Sequence, residues 1–395
     1  MATVLSDRIQ SIKPSPTLTI TAKAIELKAQ GRAVISLSAG EPDFNTPEAV
    51  KQAGILAISE NHTKYTAVDG TMALKNAIIA KMKRDNGLDY EPKQILASCG
   101  AKHSIFNLFQ AILNPGDEVI IPAPYWVSYP DMTLLCDAKP VVLQASLENQ
   151  LKITAEQLAA AITPKTKCFV LNTPSNPTGM AYTKAELQAL GEVLKAHPQI
   201  IIMSDDIYEH IYWAEEPYHN LVMACPELYD RTIVVNGVSK AYAMTGWRLG
   251  FAAGDATIIG AMKKMQSQST SCPSAPAQAA AAEALGGDQS CLEPMVAAFK
   301  RRHDMVVAAL NRIPGFTCLP GYGTFYAFPC IDGAMKKLGI SDDVEFAGQL
   351  LEKAEVAAVP GSAFGMPGYI RFSFAVGEEI LQEALKRIEA FATGG

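Results

Sequence analysis

The chain has 395 residues, 49% of them hydrophobic and 19% charged, with a formal net charge of −6. Such a composition can bury a sizeable core, in one large or two medium domains. It excludes a sequence-independent hold on nucleic acid, which needs a basic stripe; KRRH at 300–303 reads as a solvated helix face instead.

The opening MATVLSDRIQ lacks the apolar centre of a secretory signal. No run of about 18 apolar residues is present to span a membrane. The eight cysteines form no C-x-x-C pair and have no histidine cluster beside them, so no metal site is expected. They point to a reducing compartment, the cytoplasm or similar.

From about residue 50 to 280, short β-type runs alternate with helical stretches. The runs are ILAS (95–98), EVIIP (118–122), PVVL (140–143), CFVLN (168–172), IIIMSD (200–205), TIVVN (232–236) and LGFAAG (249–254). Between them, KHSIFNLFQAIL (102–113) has the apolar spacing of an amphipathic helix, and after them APAQAAAAEAL (275–285) consists of good helix formers. Continuous apolar strands alternating with helices predict an α/β fold with a mostly parallel sheet covered on both faces. From about 286 the pattern changes. A long helix (291–311), short runs FTCLP, TFYAFP, VAAVP and YIRFSF, and helices near 343–354 and at the end predict a smaller α+β domain. The expected division is 46–285 for a large domain, and 1–45 with 286–395 for a small one.

In such a sheet a ligand sits beyond the carboxyl ends of the strands. After ILAS, GAKH opens a helix whose first amides suit an anion. After EVIIP comes Trp126, after CFVLN Asn176, and after IIIM Asp205 with Tyr208 three residues on. Lys240 follows TIVVN, and Arg248 lies between Gly246 and Gly250, read as close-packing glycines. Each has an ordinary reading alone: a tight turn, a core tryptophan, a turn asparagine, surface cations. Together they suit one ligand with a phosphate, a flat ring, a cationic ring nitrogen and an aldehyde, namely pyridoxal 5′-phosphate.

SAGEPDF (38–44), YTAVDGTMALKNAI (from 65), GAKHS (100–104), PAPYWVSY (122–129), NTPSNPTG (172–179), SDDIYEH (204–210), SKAYAMTGWRLGF (239–251) and YIRFSF (369–374) follow one another along the chain. With this set the sequence resembles the fold-type I pyridoxal-phosphate enzymes, in particular the class I aminotransferases. Within them it is most similar to the prokaryotic-type aspartate aminotransferases of subgroup Iβ, some of which also transaminate prephenate. The resemblance implies a seven-stranded sheet sandwiched by helices, and ping-pong transamination between aspartate, glutamate or prephenate/arogenate and 2-oxoglutarate or oxaloacetate. It implies a homodimer with shared active sites and small-molecule amino and oxo acids as partners.

By the same resemblance, Lys240 anchors the cofactor covalently and shuttles the proton. Asp205 pairs with the pyridine nitrogen, Asn176 and Tyr208 bond the phenolic oxygen, and Trp126 stacks on the ring. Arg248, Ser239 and the amides of Ala101 and Lys102 hold the phosphate, joined by Tyr65 from the neighbouring subunit. Arg371 grips the substrate α-carboxylate, helped by Asn176 and the Gly40 backbone. Lys102 and Thr17 accompany use of acidic substrates and prephenate in the subgroup. The competing readings are alanine, aromatic or kynurenine transamination or a β-lyase on the same fold, a non-catalytic regulator, and a nucleotide binder. The regulator lacks an added basic domain here, and the nucleotide binder lacks both G-x-G-x-x-G and Walker A patterns.

Overall fold

The computed structural model describes residues 5–12 and 16–394. Its strands are β1 (Ile35–Ser36), β2 (Ile95–Ser98), β3 (Glu118–Ala123), β4 (Lys139–Gln144), β5 (Thr166–Asn172), β6 (Ile201–Asp205), β7 (Thr232–Gly237), β8 (Gly250–Ala253), β9 (Tyr326–Ala327), β10 (Val356–Ala357), β11 (Val359–Pro360) and β12 (Ile370–Ser373). Seven of them form one sheet in the order β2-β8-β7-β6-β5-β3-β4. Strands β3 to β7 pair in parallel, while β8 is antiparallel to both β7 and β2. The fold is therefore α/β with a mostly parallel seven-stranded sheet, and every strand of it matches an apolar run of the sequence.

Successive side chains of a strand point to opposite faces. Ile120, Phe169 and Ile202 accordingly pack into one apolar cluster, and Val119, Ile121, Cys168, Val170 and Met203 into another on the opposite face. Both faces are dry, which is why these strands read as continuous apolar runs rather than alternating ones. The connecting helices end on local signals. Thr183 and Glu186 form a capping box before the helix Lys184–Lys195.

The C-terminal part builds its own core, in which Phe299, Phe325, Phe346, Phe372 and Phe374 meet. Strands β11-β12-β9 make a three-stranded antiparallel sheet there. The N-terminal segment joins this part: β1 pairs in parallel with β10, Ile35 opposite Val356. Half of the KRRH cluster departs from the expected solvated face. Arg302 is buried and donates to Asp43 Oδ1 at 2.7 Å, and His303 Nε2 accepts from the Gly321 N–H at 2.9 Å. Their helix faces the segment 38–44, so those two positions point inward. Among the described residues, no helix is long and apolar enough to cross a membrane.

Candidate active site

Strands β2, β3, β5, β6 and β7 all finish at one edge of the sheet, and β8, running the other way, starts there. Arg248, two residues before β8, thus arrives beside the strand ends. A cavity of about 670 Å³ opens at this edge. It is lined by Ala101 and Lys102 after β2, Trp126 after β3, Asn176 after β5, Asp205 and Tyr208 at and after β6, Ser239 and Lys240 after β7, and Arg248. Gly40 and Arg371 close it from the other side.

Lys240 Nζ donates to the Gly40 carbonyl. Burial pushes its ammonium down to about 8, and the positive charge of Arg371 adds to this against the pull of Glu41. A lysine so held gives up its proton near neutral pH and becomes a nucleophile and a base. Asp205 is 4% exposed. Burial raises its carboxyl to about 6, although Tyr129 donates to Oδ2 at 2.6 Å and the Ile207 N–H bonds Oδ1 at 3.3 Å. A buried carboxylate with only neutral hydrogen-bonding partners suits a cationic ring nitrogen.

Arg371 is 3% exposed. It donates from Nη1 to Asn176 Oδ1 at 2.9 Å and from Nη2 to the Ser38 carbonyl at 2.8 Å. Its Nε is buried and has no hydrogen-bond partner among the described residues. Among the described residues no carboxylate balances this guanidinium, which lies 4.4 Å over the Tyr326 ring and 4.9 Å over Phe364. An unpaired buried cation facing a cavity is a receptor for an anion.

At the opposite corner, the helix Ala101–Ile112 points its N-terminus into the cavity. Gly100 has φ +90, and a Cβ there would come within 2.3 Å of Arg248 Nη2. Arg248 itself is held by the Thr245 carbonyl at 2.8 Å. Lys102 lies 4.8 Å over the Trp126 ring, and burial together with Arg248 holds its ammonium below the ordinary lysine value. Two cations that repel each other at a helix N-terminus form a cradle for a phosphate. The residues present therefore fit pyridoxal phosphate: a cradle for phosphate, a flat indole, a buried carboxylate and a lysine of lowered basicity.

A family model described as aminotransferase class I and II matches residues 32–388. The chain belongs to this family of aminotransferases. An aspartate/prephenate aminotransferase of Nitrosomonas europaea is 55% identical over 390 residues, 97% of this chain and 98% of that one. The crystal structure of the aspartate aminotransferase of Rhizobium meliloti has a TM-score of 0.96 at 48% identity, covering 99% of both chains. That of Thermus thermophilus with maleate has a TM-score of 0.92 at 40% identity, covering 98% of this chain and 99% of that one.

One residue singled out in the sequence does not line the cavity of this aminotransferase. Tyr65 is 91% exposed, away from it. Thr17 falls in the helix Pro16–Ala29, and its side chain lies outside the described residues. The reading of Gly246 is corrected: a Cβ there would meet nothing within 4 Å, because its turn faces open space. Gly250 does pack closely, its Cβ position lying 2.1 Å from the Ala101 nitrogen. Three groups at the site escaped sequence reasoning, two of them in the cavity lining. Tyr129 holds Asp205; Tyr326 shares a 3.0 Å hydrogen bond between hydroxyls with Tyr208 and carries Arg371 on its face; the Ser38 carbonyl holds Arg371. Tyr129 had one signal: it stands three residues after Trp126, one helical turn along from a residue already placed at the site.

Proposed function

We propose that this aminotransferase binds pyridoxal 5′-phosphate in the cavity and transaminates aspartate with 2-oxoglutarate or oxaloacetate, prephenate being a further acceptor. The observation that carries the reading is Arg371, a buried guanidinium with an unpaired Nε opposite Lys240 and Asp205.

The bound cofactor would supply an aldehyde to take the amino group and a ring to spread the charge left on the substrate Cα. Lys240 anchors it through Nζ, then removes and returns the Cα proton. Asp205 keeps the proton on the pyridine nitrogen, and Tyr129 keeps Asp205 in place. Asn176 and Tyr208 donate to the phenolic oxygen, Trp126 lies against the ring, and Arg248, Ser239 and the Ala101 and Lys102 amides take the phosphate. Arg371 clamps the substrate α-carboxylate, assisted by Asn176 and Gly40, so that Cα stands before Lys240. Lys102 at the cavity lip meets a distal carboxylate, and Thr17 is assigned to the same substrates by the resemblance alone. The 55% identical relative named for aspartate and prephenate supports this substrate class.

In the same reading the chain forms a homodimer, Tyr65 reaching the phosphate in the second copy. The stretch that carries it also exposes Ile55, Leu56, Ile58 and Met72, apolar surface that a second copy would cover. Residues 46–285 act as the large domain, and 1–45 with 286–395 as the small one, with the substrate between them. The eight free thiols suit the cytoplasm.

The purified protein loaded with pyridoxal phosphate is expected to be yellow, with a visible band that shifts on adding aspartate. Lys240→Ala should lose both the shift and turnover. Retention of full activity by that variant would overturn the site. Equal rates with alanine and none with aspartate would overturn the substrate.

A further inference from the structure

Behind the cavity wall lies a buried ion pair that the mechanism does not use. The run from Asp205 to His210 faces two ways. Asp205 and Tyr208 line the cavity, whereas Asp206 and Glu209 turn into the interior, 0% and 6% exposed. Glu209 pairs with Lys81, which is 1% exposed. The same carboxylate accepts from Asn236 Nδ2 at 2.6 Å and from Asn86 Nδ2 at 2.8 Å. Lys81 also donates to Asn86 Oδ1 at 2.7 Å, and Asn236 Oδ1 accepts from the Gly237 N–H at 2.7 Å.

One carboxylate thus joins three pieces of chain. Lys81 and Asn86 belong to the helix Met72–Asn86. Glu209 is the neighbour of Tyr208. Asn236 stands in β7, the strand that leads to Lys240. Other ionisable groups surround the pair: Asp85 on the helix, His210 next in the chain, and Asp206, whose carboxyl is satisfied by Ser204 Oγ and Asn220 Nδ2 at 2.7 Å each. A buried ion pair adds little net stability, because desolvation offsets the attraction. A fully hydrogen-bonded one does fix geometry, since any displacement leaves a charge or a polar group unpaired.

We propose that Glu209, balanced by Lys81, is a positioning residue that sets Tyr208 and Lys240 against each other across the bound cofactor. The role rests on the pyridoxal phosphate reading above. Glu209 touches neither cofactor nor substrate. It acts through the turn it shares with Tyr208 and through its bond to Asn236.

The test compares wild type, Glu209→Gln and Asn236→Ala, each loaded with pyridoxal phosphate. The visible band is titrated with pH, its midpoint reporting the surroundings of Lys240, and kcat and KM are measured with aspartate. Glu209→Gln is expected to lower kcat by about tenfold or more with KM changed by less than about threefold, as for a displaced rather than a lost binding group. It should also move the midpoint. Asn236→Ala keeps the Lys81–Glu209 pair and cuts its link to the Lys240 strand, along with the Asn236 bond to the Gly237 N–H. It should move the midpoint and lower kcat as well, and it decides the matter if Glu209→Gln fails to fold. A yellow Asn236→Ala protein with wild-type midpoint and kcat would overturn the positioning role and leave the cofactor reading intact. A wild-type protein that stays colourless would overturn the cofactor reading and this role with it.

Discussion

Replacing Arg371 by leucine separates recognition from structural support. The guanidinium has five N–H groups. Two are engaged, by Asn176 and the Ser38 carbonyl, and Nε is orphaned. A carboxylate can therefore accept two hydrogen bonds without displacing the existing ones. Hydrogen bonds to charged groups contribute about 1.5–3 kcal/mol each. Two give roughly 3–6 kcal/mol, and about 4 kcal/mol corresponds to about a thousandfold in kcat/KM at 1.4 kcal/mol per decade. Stability should respond differently. Burial already holds the Arg371 guanidinium below its ordinary arginine value, so its removal relieves a cost that offsets the loss of its two hydrogen bonds. Unfolding of the cofactor-free protein is expected to change by less than about 2 kcal/mol. Steady-state kinetics with aspartate, and with the amine that lacks the α-carboxylate, check this. The amine should be an equally poor donor for both proteins. A drop below tenfold with aspartate, or an equal drop with the amine, would refute the role of Arg371 as the carboxylate clamp.

Asp205→Asn should remove a pH dependence from the cofactor-free protein. The folded carboxyl titrates at about 6 against an ordinary 3.8, so it binds its proton more tightly when folded. Its stabilising effect is full below the ordinary value and is lost as pH rises through about 6, about 3 kcal/mol in all. Urea unfolding of both proteins between those pH values measures the difference, and parallel curves would contradict it. Tyr129→Phe deletes the 2.6 Å bond to Asp205 and should raise the midpoint of that same difference by about one pH unit. Gly100→Ala drives a Cβ against Arg248 at a φ of +90, so affinity for pyridoxal phosphate should fall about tenfold or more, while that for pyridoxal, which lacks the phosphate, stays unchanged. Equilibrium dialysis with the two vitamers distinguishes these outcomes.

The large sheet was legible because its inner strands are dry on both faces and so appear as unbroken apolar runs. Strand direction was not. Nothing in LGFAAG says that β8 runs against its neighbours, yet that reversal is what delivers Arg248 to the site. Asp205, Asn176 and Lys240 stood out because polar residues at the ends of buried strands need a reason. Tyr129 and Tyr326 did not, since a tyrosine in an apolar run looks like core until its hydroxyl is seen to have a partner. The Ser38 and Gly40 carbonyls carry no side-chain signal at all. Arg302 and His303 were misplaced because a basic tetrad is ordinarily solvated, and only the tertiary pairing with Asp43 and Gly321 draws them inward.

The pairing of β1 with β10 also bears on synthesis. The strands of the large sheet lie within residues 95–253 and can collapse as the chain emerges. Ile35, by contrast, waits for Val356, and the Ser38 carbonyl waits for Arg371. Closing so long a loop costs entropy that only late contacts repay. The segment 35–38 is therefore among the last parts to settle, and a nascent chain would present a formed sheet edge with Lys240 in place before Ser38 and Arg371 have met.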